Sequence, residues 1–221
     1  MTEVVKGRNV RVEIGSTEGS PKTVTAVSLG NPGMATTSVA HGLAVGSVGY
    51  FSQVQNMAPL DDQAARVALP GGSPPSSSQF DIEGIDTTDF PAFTTGLFVP
   101  ITAWDTLAQS TQYQLGGGAP KTEDITCLLD KFEQMDTIML AAETVTIDIR
   151  SLEEDNDALA LIRKYSRALK KMVFRITLNG GAQRIFRGTV SLPGESVAHG
   201  ATGTGQLTVT VKGQICYLPA L

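Results

Sequence analysis

The sequence predicts a mainly β protein, a β-sandwich or barrel-like sheet with one packed α-helix, plus an inserted small β module. Three observations predict it. Segments in which apolar and polar residues alternate recur along the chain. A single stretch has helical periodicity. Thr, Ser, Gly and Val are plentiful, while aromatics make up only 6% of residues. Alternation is the period of a half-buried strand, and a three-to-four-residue repeat is that of an amphipathic helix.

Residues 143–192 form the central unit. Val145, Ile147 and Ile149 alternate with Thr144, Thr146, Asp148 and Arg150, which predicts a strand. A helix follows, with Ala158, Leu161, Ile162, Tyr165, Leu169 and Met172 at helical spacing and Arg163, Lys164, Arg167, Lys170 and Lys171 pointing elsewhere. Glu153, Glu154, Asp155 and Asp157 crowd its start, where acids suit the macrodipole, and Asp155 or Asn156 caps it. Residues 173–178 are a second strand, Asn179-Gly180 a hairpin turn, and 184–192 a strand that pairs back. A helix on a mainly antiparallel sheet results.

The remaining elements follow in chain order. Val10, Val12 and Ile14 alternate with Arg11 and Glu13 in a first strand, and turn residues fill 15–21. From Lys22 to about Phe90 short strand-like pieces (23–29, 49–54 and 79–82) alternate with Gly, Pro and Asn turns, and 70–78 is a breaker-rich loop. This predicts two units: a discontinuous β domain of residues 1–21 and 91–221, and an inserted module of 22–90. The sheet resumes at 97–103. Trp104 to Lys121, including Leu107, Tyr113, Leu115 and Gly117, reads as a long glycine-bearing excursion, expected to be mobile until a neighbour orders it. A strand near 125–129 follows, then the central unit, a loop at 194–205, and a last strand. That strand sets Leu207, Val209, Val211, Ile215 and Tyr217 against Thr208, Thr210, Lys212 and Gln214. The sheet is therefore expected to have one apolar face and one wettable, Thr-rich face.

Composition narrows the function classes. A chain of 221 residues can bury roughly 70% of its unfolded surface. A net charge of -5 disfavours stable binding to phosphate backbones. No apolar run approaches the roughly 20 residues that span a bilayer. The first fifteen residues lack the apolar core of a signal peptide, so folding in the cytoplasm is expected, with Cys127 and Cys216 as free, packed thiols.

Catalytic near-matches fail on context. Gly194-Glu-Ser-Val-Ala198 lacks the last glycine and the following helix of a nucleophile elbow, which leaves Ser196 in a surface loop. Gly116–Thr122 has no phosphate-loop spacing, and Pro120 removes a donor such a cradle needs. Residues 153–157 lack the central Gly and terminal Glu of a calcium loop. His41 and His199 sit in turns without a second metal ligand nearby, and Asp61-Asp62 reads as a solvated pair. No enzyme, cofactor or metal is expected.

These pieces, in this order, resemble the major tail tube proteins of long, non-contractile bacteriophage tails. The resemblance rests on the first strand Lys6–Ile14, on Gln112–Thr126, on the strand–helix–strand unit and on the closing Gly205–Gln214 strand. The insert, with Ala40-His41-Gly42-Leu43-Ala44-Val45-Gly46, is similar to a small β module of phage structural proteins, with Ser47 where that pattern has an acid. The resemblance implies hexameric rings stacked into a tube, a conduit for ejected DNA that it does not bind specifically. Tape-measure, tail-terminator and distal tail proteins are the implied partners, with no membrane. Assembly would occur in the host cytoplasm, and the final location would be the virion. Trp104, Leu107, Tyr113, Leu115, Gly117 and Lys121 are then expected at the ring-stacking contact, and Glu143 and Asp148 on the lumen wall. The insert is expected on the outer surface and dispensable for the tube. A carbohydrate-binding β module of a virion or cell surface, or a secretion-tube ring protein, is the alternative reading.

Overall fold

The computed structural model describes residues 10–68, 77–126, 132, 135–150, 157–191, 194–197, 199 and 202–220. Its organising element is a single long strand. The chain runs through β1 (Arg11–Glu18), β2 (Lys22–Val27), β3 (Gly33–Thr37), β4 (Val48–Gln55), a 3-10 turn (Ala58–Leu60), β5 (Ala64–Ala68) and β6 (Gln79–Glu83) into β7 (Thr95–Thr106). The first half of β7 pairs on one side with β2 (Thr23 opposite Leu97) and on the other with β4 (Phe51 opposite Phe98). That closes the ring β2-β3-β6-β5-β4-β7 into a six-stranded antiparallel barrel with no open edge. Phe51, Phe80 and Phe98 fill its interior, with Phe98 5.2 Å from Phe51 and 5.1 Å from Phe80 between ring centroids. β3 and β5 carry little apolar alternation, which is why the sequence shows them poorly.

The second half of β7 pairs with β1, Ile14 lying opposite Asp105. From there the chain builds a second, curled sheet. It contributes β8 (Ser110–Gly116), β9 (Pro120–Asp124), β10 (Met135–Leu140), β11 (Thr144–Ile149), α1 (Asp157–Arg167), β12 (Lys171–Thr177), β13 (Gln183–Val190), β14 (Gly194–Ser196) and β15 (Thr204–Leu218). The order β7-β1-β12-β13-β15-β11-β8 is antiparallel throughout, and β14 adds to the start of β15. Val145, Ile147 and Ile149 meet Leu207 and Val209, Phe174 stacks on Phe186 at 5.3 Å, and Ala158, Leu159 and Ile162 of α1 complete the core. Each such side chain contributes about 1.5–3 kcal/mol by leaving water.

The mainly β architecture with one helix is as the periodicity predicts, and several details differ. The buried helix face is Ala158, Leu159, Ile162 and Ser166, with Leu161 and Tyr165 at its flank. Leu169 is 79% exposed because the helix has already ended and Leu169 itself is left-handed at φ +51°. The proposed cap and the acids Glu153, Glu154 and Asp155 lie outside the described residues, as do Cys127 and most of the strand expected at 125–129. The strand that is seen there, β9, comes earlier. Residues 104–121 are no mobile excursion: they hold the end of β7, all of β8 and the start of β9. The Gln-Tyr-Gln-Leu alternation of β8 is that of an edge strand, with Tyr113 and Leu115 leaning on the core. The loop at 194–205 contains β14.

The two-faced sheet exists only in its β8–β11–β15 half. On β12, β13 and the end of β15, Val173, Ile185, Cys216 and Leu218 face away from the helix and join the barrel core. At the end of β15 the buried residues are Cys216 and Leu218, so Tyr217, expected inside, points to the opposite face, is exposed and lies under the Arg184 guanidinium at 4.6 Å. Buried polar groups set this joint. Arg66, 1% exposed, makes paired bonds of 2.7 and 2.8 Å to Glu83 and also donates to the Gln183 side chain and the Pro219 carbonyl. Gln63 clamps Gln214 from both sides, accepting from its N–H and donating to its carbonyl at 2.8 Å each. Gly213 is required beside it: its φ is +81°, and a Cβ would sit 2.1 Å from the Gln63 oxygen. Asp62 accepts from both Lys171 and Arg187.

Candidate self-assembly surface

β8 and β11 pair as far as Gly116 opposite Thr144, and there both chains leave the sheet. Gly117 (φ +91°) and Gly118 (φ +72°) make the turn outward; a Cβ on Gly117 would lie 2.5 Å from the Ala142 carbonyl oxygen, so only glycine fits the crossing. Beyond it β9 and β10 form a separate two-stranded ribbon, held at its root by the Ala141 N–H to the Ala119 carbonyl at 2.8 Å. Every residue of β9 is exposed. Ile125, Met135 and Met139 are 49%, 53% and 56% exposed, Leu140 69% and Phe132 82%. An isolated two-stranded ribbon is marginally stable in water, and clustered exposed apolar side chains mark an interaction surface. Among the described residues, β9 and β10 pair with no other strand.

The residues expected at the stacking contact separate along this stretch. Leu107 is 1% exposed and already core, its N–H donating to the Val12 carbonyl at 2.8 Å. Trp104 lies under the Arg175 guanidinium at 4.2 Å, next to the barrel joint. Tyr113 and Leu115 are half-buried on β8. Gly117 and Lys121 belong to the arm's root and first strand. Sequence reasoning missed Ile125, Phe132, Met135, Met139 and Leu140. The signal for three of them was Met135, Met139 and Leu140 in a short segment, 135–140, that the sequence reading assigned to no element.

Next to the arm's root lies the wettable face. Register aligns Gln112, Asp148 and Gln206 in one row and Gln114, Thr146 and Thr208 in the next. Asp148 accepts from the Gln206 amide at 2.8 Å and opens on a polar groove of about 620 Å³ shared with Arg150, Glu195 and Ser196. Among the described residues Asp148 forms no ion pair with Arg150 or Lys212. Glu143 stands apart from this row, its carboxylate accepting from the Ile215 N–H at 3.0 Å.

Other polar residues have structural work. His41 accepts the Leu43 N–H at Nδ1, at 2.9 Å, which leaves the proton on Nε2 to donate to the Gln79 carbonyl. Asp61 accepts from the Val54 N–H, and Asp62 is the joint acid rather than a solvated one. Burial pushes the Cys216 thiol up to about 12, which leaves it uncharged and unreactive at neutral pH. Among the described residues no three His, Cys, Asp or Glu side chains gather as metal ligands, and no helix is long and apolar enough to cross a membrane.

A closed barrel fused to a curled sheet, with a two-stranded arm standing beyond it, makes a mainly β protein whose exposed arm is its candidate contact surface. The chain matches the phage tail tube protein family over residues 55–219 and belongs to it. The family is structural rather than enzymatic, and its members are virion components that assemble into a tube. The match begins at the end of β4, so it takes in part of the barrel and all of the curled sheet except β1. No curated protein matches the chain.

Proposed function

We propose that this chain is the repeating subunit of the tail tube of a long, non-contractile-tailed phage, forming hexameric rings that stack head to tail into the conduit for DNA ejection. The observation that carries the reading is the β9–β10 arm. A heterologous interface builds a ring or filament by placing one surface of a subunit on a different surface of the next. An arm with exposed Met135, Met139, Leu140 and Phe132 is such a surface. The wettable face of β8, β11 and β15 lines the lumen in this reading. Threonine and glutamine dominate there, and Asp148, repeated once per subunit, repels phosphates from the wall, with Arg150 and Lys212 on the same surface offsetting part of that charge. The barrel, residues 22–90 with the start of β7, stands on the outside.

Negative-stain microscopy of the purified chain, with and without its arm, tests this. Joining Gly116 to Thr144 through Asn-Gly closes the β8–β11 hairpin in its present register. The intact chain is expected to give stacked six-fold rings, and the armless chain a folded monomer. Tubes of normal length from the armless chain would remove the arm from the mechanism. An intact chain that stays monomeric at high concentration and adds to no tail would overturn the ring reading.

A further inference from the structure

We propose that the acidic face of the arm docks on the basic outer face of α1 in a second copy of the chain. This rests on the arm being an assembly element and names the surface that receives it. In the β9–β10 register Glu123 lies directly opposite Asp136, so the two carboxylates share one face of the ribbon, both exposed. Like charges opposed across a strand pair destabilise it. Asp124, next in the strand and paired with Met135, lies on the ribbon's other face, its carboxyl held below the usual range by the Thr126 hydroxyl and N–H. Lys121 is the one cation on the described part of the arm, and it forms no ion pair among the described residues. A ribbon already marginal in stability thus carries a repulsion that a cationic partner would turn into attraction.

The chain itself carries that partner surface. Arg163, Lys164, Arg167 and Lys170 run along the outer side and end of α1, and none is ion-paired among the described residues. Other cations are committed elsewhere: Arg66 to Glu83, Arg175 to Glu13, Lys171 and Arg187 to Asp62. Bases at a helix C-terminus suit the macrodipole. That accounts for the charges but not for Leu169, an exposed leucine set among them. A surface of cations around a leucine fits a ribbon face on which Met139 lies beside the two acids. In a chain of net charge -5, one attractive pairing against general repulsion selects this contact over others.

Charge exchange in the full-length chain tests the pairing, read as the concentration at which sedimentation and light scattering detect assembly. Glu123→Lys with Asp136→Lys is expected to raise that concentration by about tenfold or more, as is Lys164→Glu with Arg167→Glu. All four changes in one chain are expected to return it to within about threefold of the original, because the contact is remade with its signs exchanged. Circular dichroism and thermal unfolding establish that each variant is folded. If acids at the helix end unfold α1, Lys164→Gln with Arg167→Gln takes their place and is expected to weaken assembly likewise. Normal assembly by any reversed or neutralised pair overturns the proposal, and so does a folded four-residue exchange that assembles no better than its halves. Those results leave the arm's role standing if the armless chain fails to assemble. Tubes from the armless chain would sink both.

Discussion

The barrel–sheet joint and the β9–β10 arm handle polar and apolar groups in opposite ways. At the joint, charged residues go inside: Arg66 is buried with paired bonds to Glu83, Asp62 holds two cations, and apolar Val173, Ile185, Cys216 and Leu218 seal the contact. On the arm, apolar residues go outside and acids face each other unrelieved. A joint made within one chain can be finished at synthesis, because both partners are always present. In the proposed assembly the arm is finished by another molecule, so its groups remain exposed until that molecule arrives.

The largest effect expected from breaking this contrast is excision of residues 22–90. Against the expectation that the module is dispensable stands the joint: its removal would strip β4 and β2 from β7 and expose Val173, Ile185, Cys216 and Leu218. The shortened chain is expected to be insoluble or molten, which loss of near-ultraviolet dichroism would show. A native-like spectrum would mean the curled sheet stands alone. Arg66→Ala comes next. It leaves Glu83, Gln183 and a backbone carbonyl without their donor, and breaking a buried pair costs about 3–5 kcal/mol, measurable by urea unfolding.

Gly213→Ala is expected to cost about 1–3 kcal/mol, from the positive φ and the collision with Gln63. In a Gln63→Ala background only the backbone part should persist. Equal costs in both backgrounds would mean that the clash plays no part. A smaller effect appears at high pH. Burial raises the Cys216 thiol from 9.0 to about 12. Burial and the hydrogen bond to Glu18 raise the Tyr50 hydroxyl from 10.0 to about 12. Both groups hold their protons longer when folded, so their stabilisation is complete below about pH 9 and is lost as pH rises towards 12. Melting temperature should fall over that window, less steeply in Cys216→Ala. On the arm, Leu140→Ser is expected to change stability by less than about 0.5 kcal/mol while weakening assembly, the reverse of Arg66→Ala. A large loss of stability in Leu140→Ser would show that the arm folds back on its own chain.

The β11 strand and the first part of β15 were legible in the sequence because they are covered on one face only. Val145–Ile149 and Leu207–Val211 display that burial as plain alternation, and α1 displays it as a helical stripe. Legibility failed where coverage was not one-sided. β5 is buried on both faces and carries Arg66 inside, so it has no period to read. β8 shows alternation, but its glycine-rich neighbours disguised it as a loop. Residues 135–140 could not be placed because Asp136 and Thr137 interrupt any apolar period and Met135, Met139 and Leu140 stay exposed.

The sequence by itself determined the mainly β class, the single helix, the hairpin after β12 and the absence of recognisable catalytic or metal-binding patterns. Each of these depends on neighbours in the chain or on residue types alone. Only the tertiary structure decided that β7 belongs to two sheets at once, that Asp62, Gln63 and Arg66 lock them together, and that Leu107 is core while Leu140 is not. Those outcomes depend on contacts between residues far apart in sequence, as in Gln63 with Gln214. A local pattern records which residues want to be buried, and only the assembled fold records what is there to bury them.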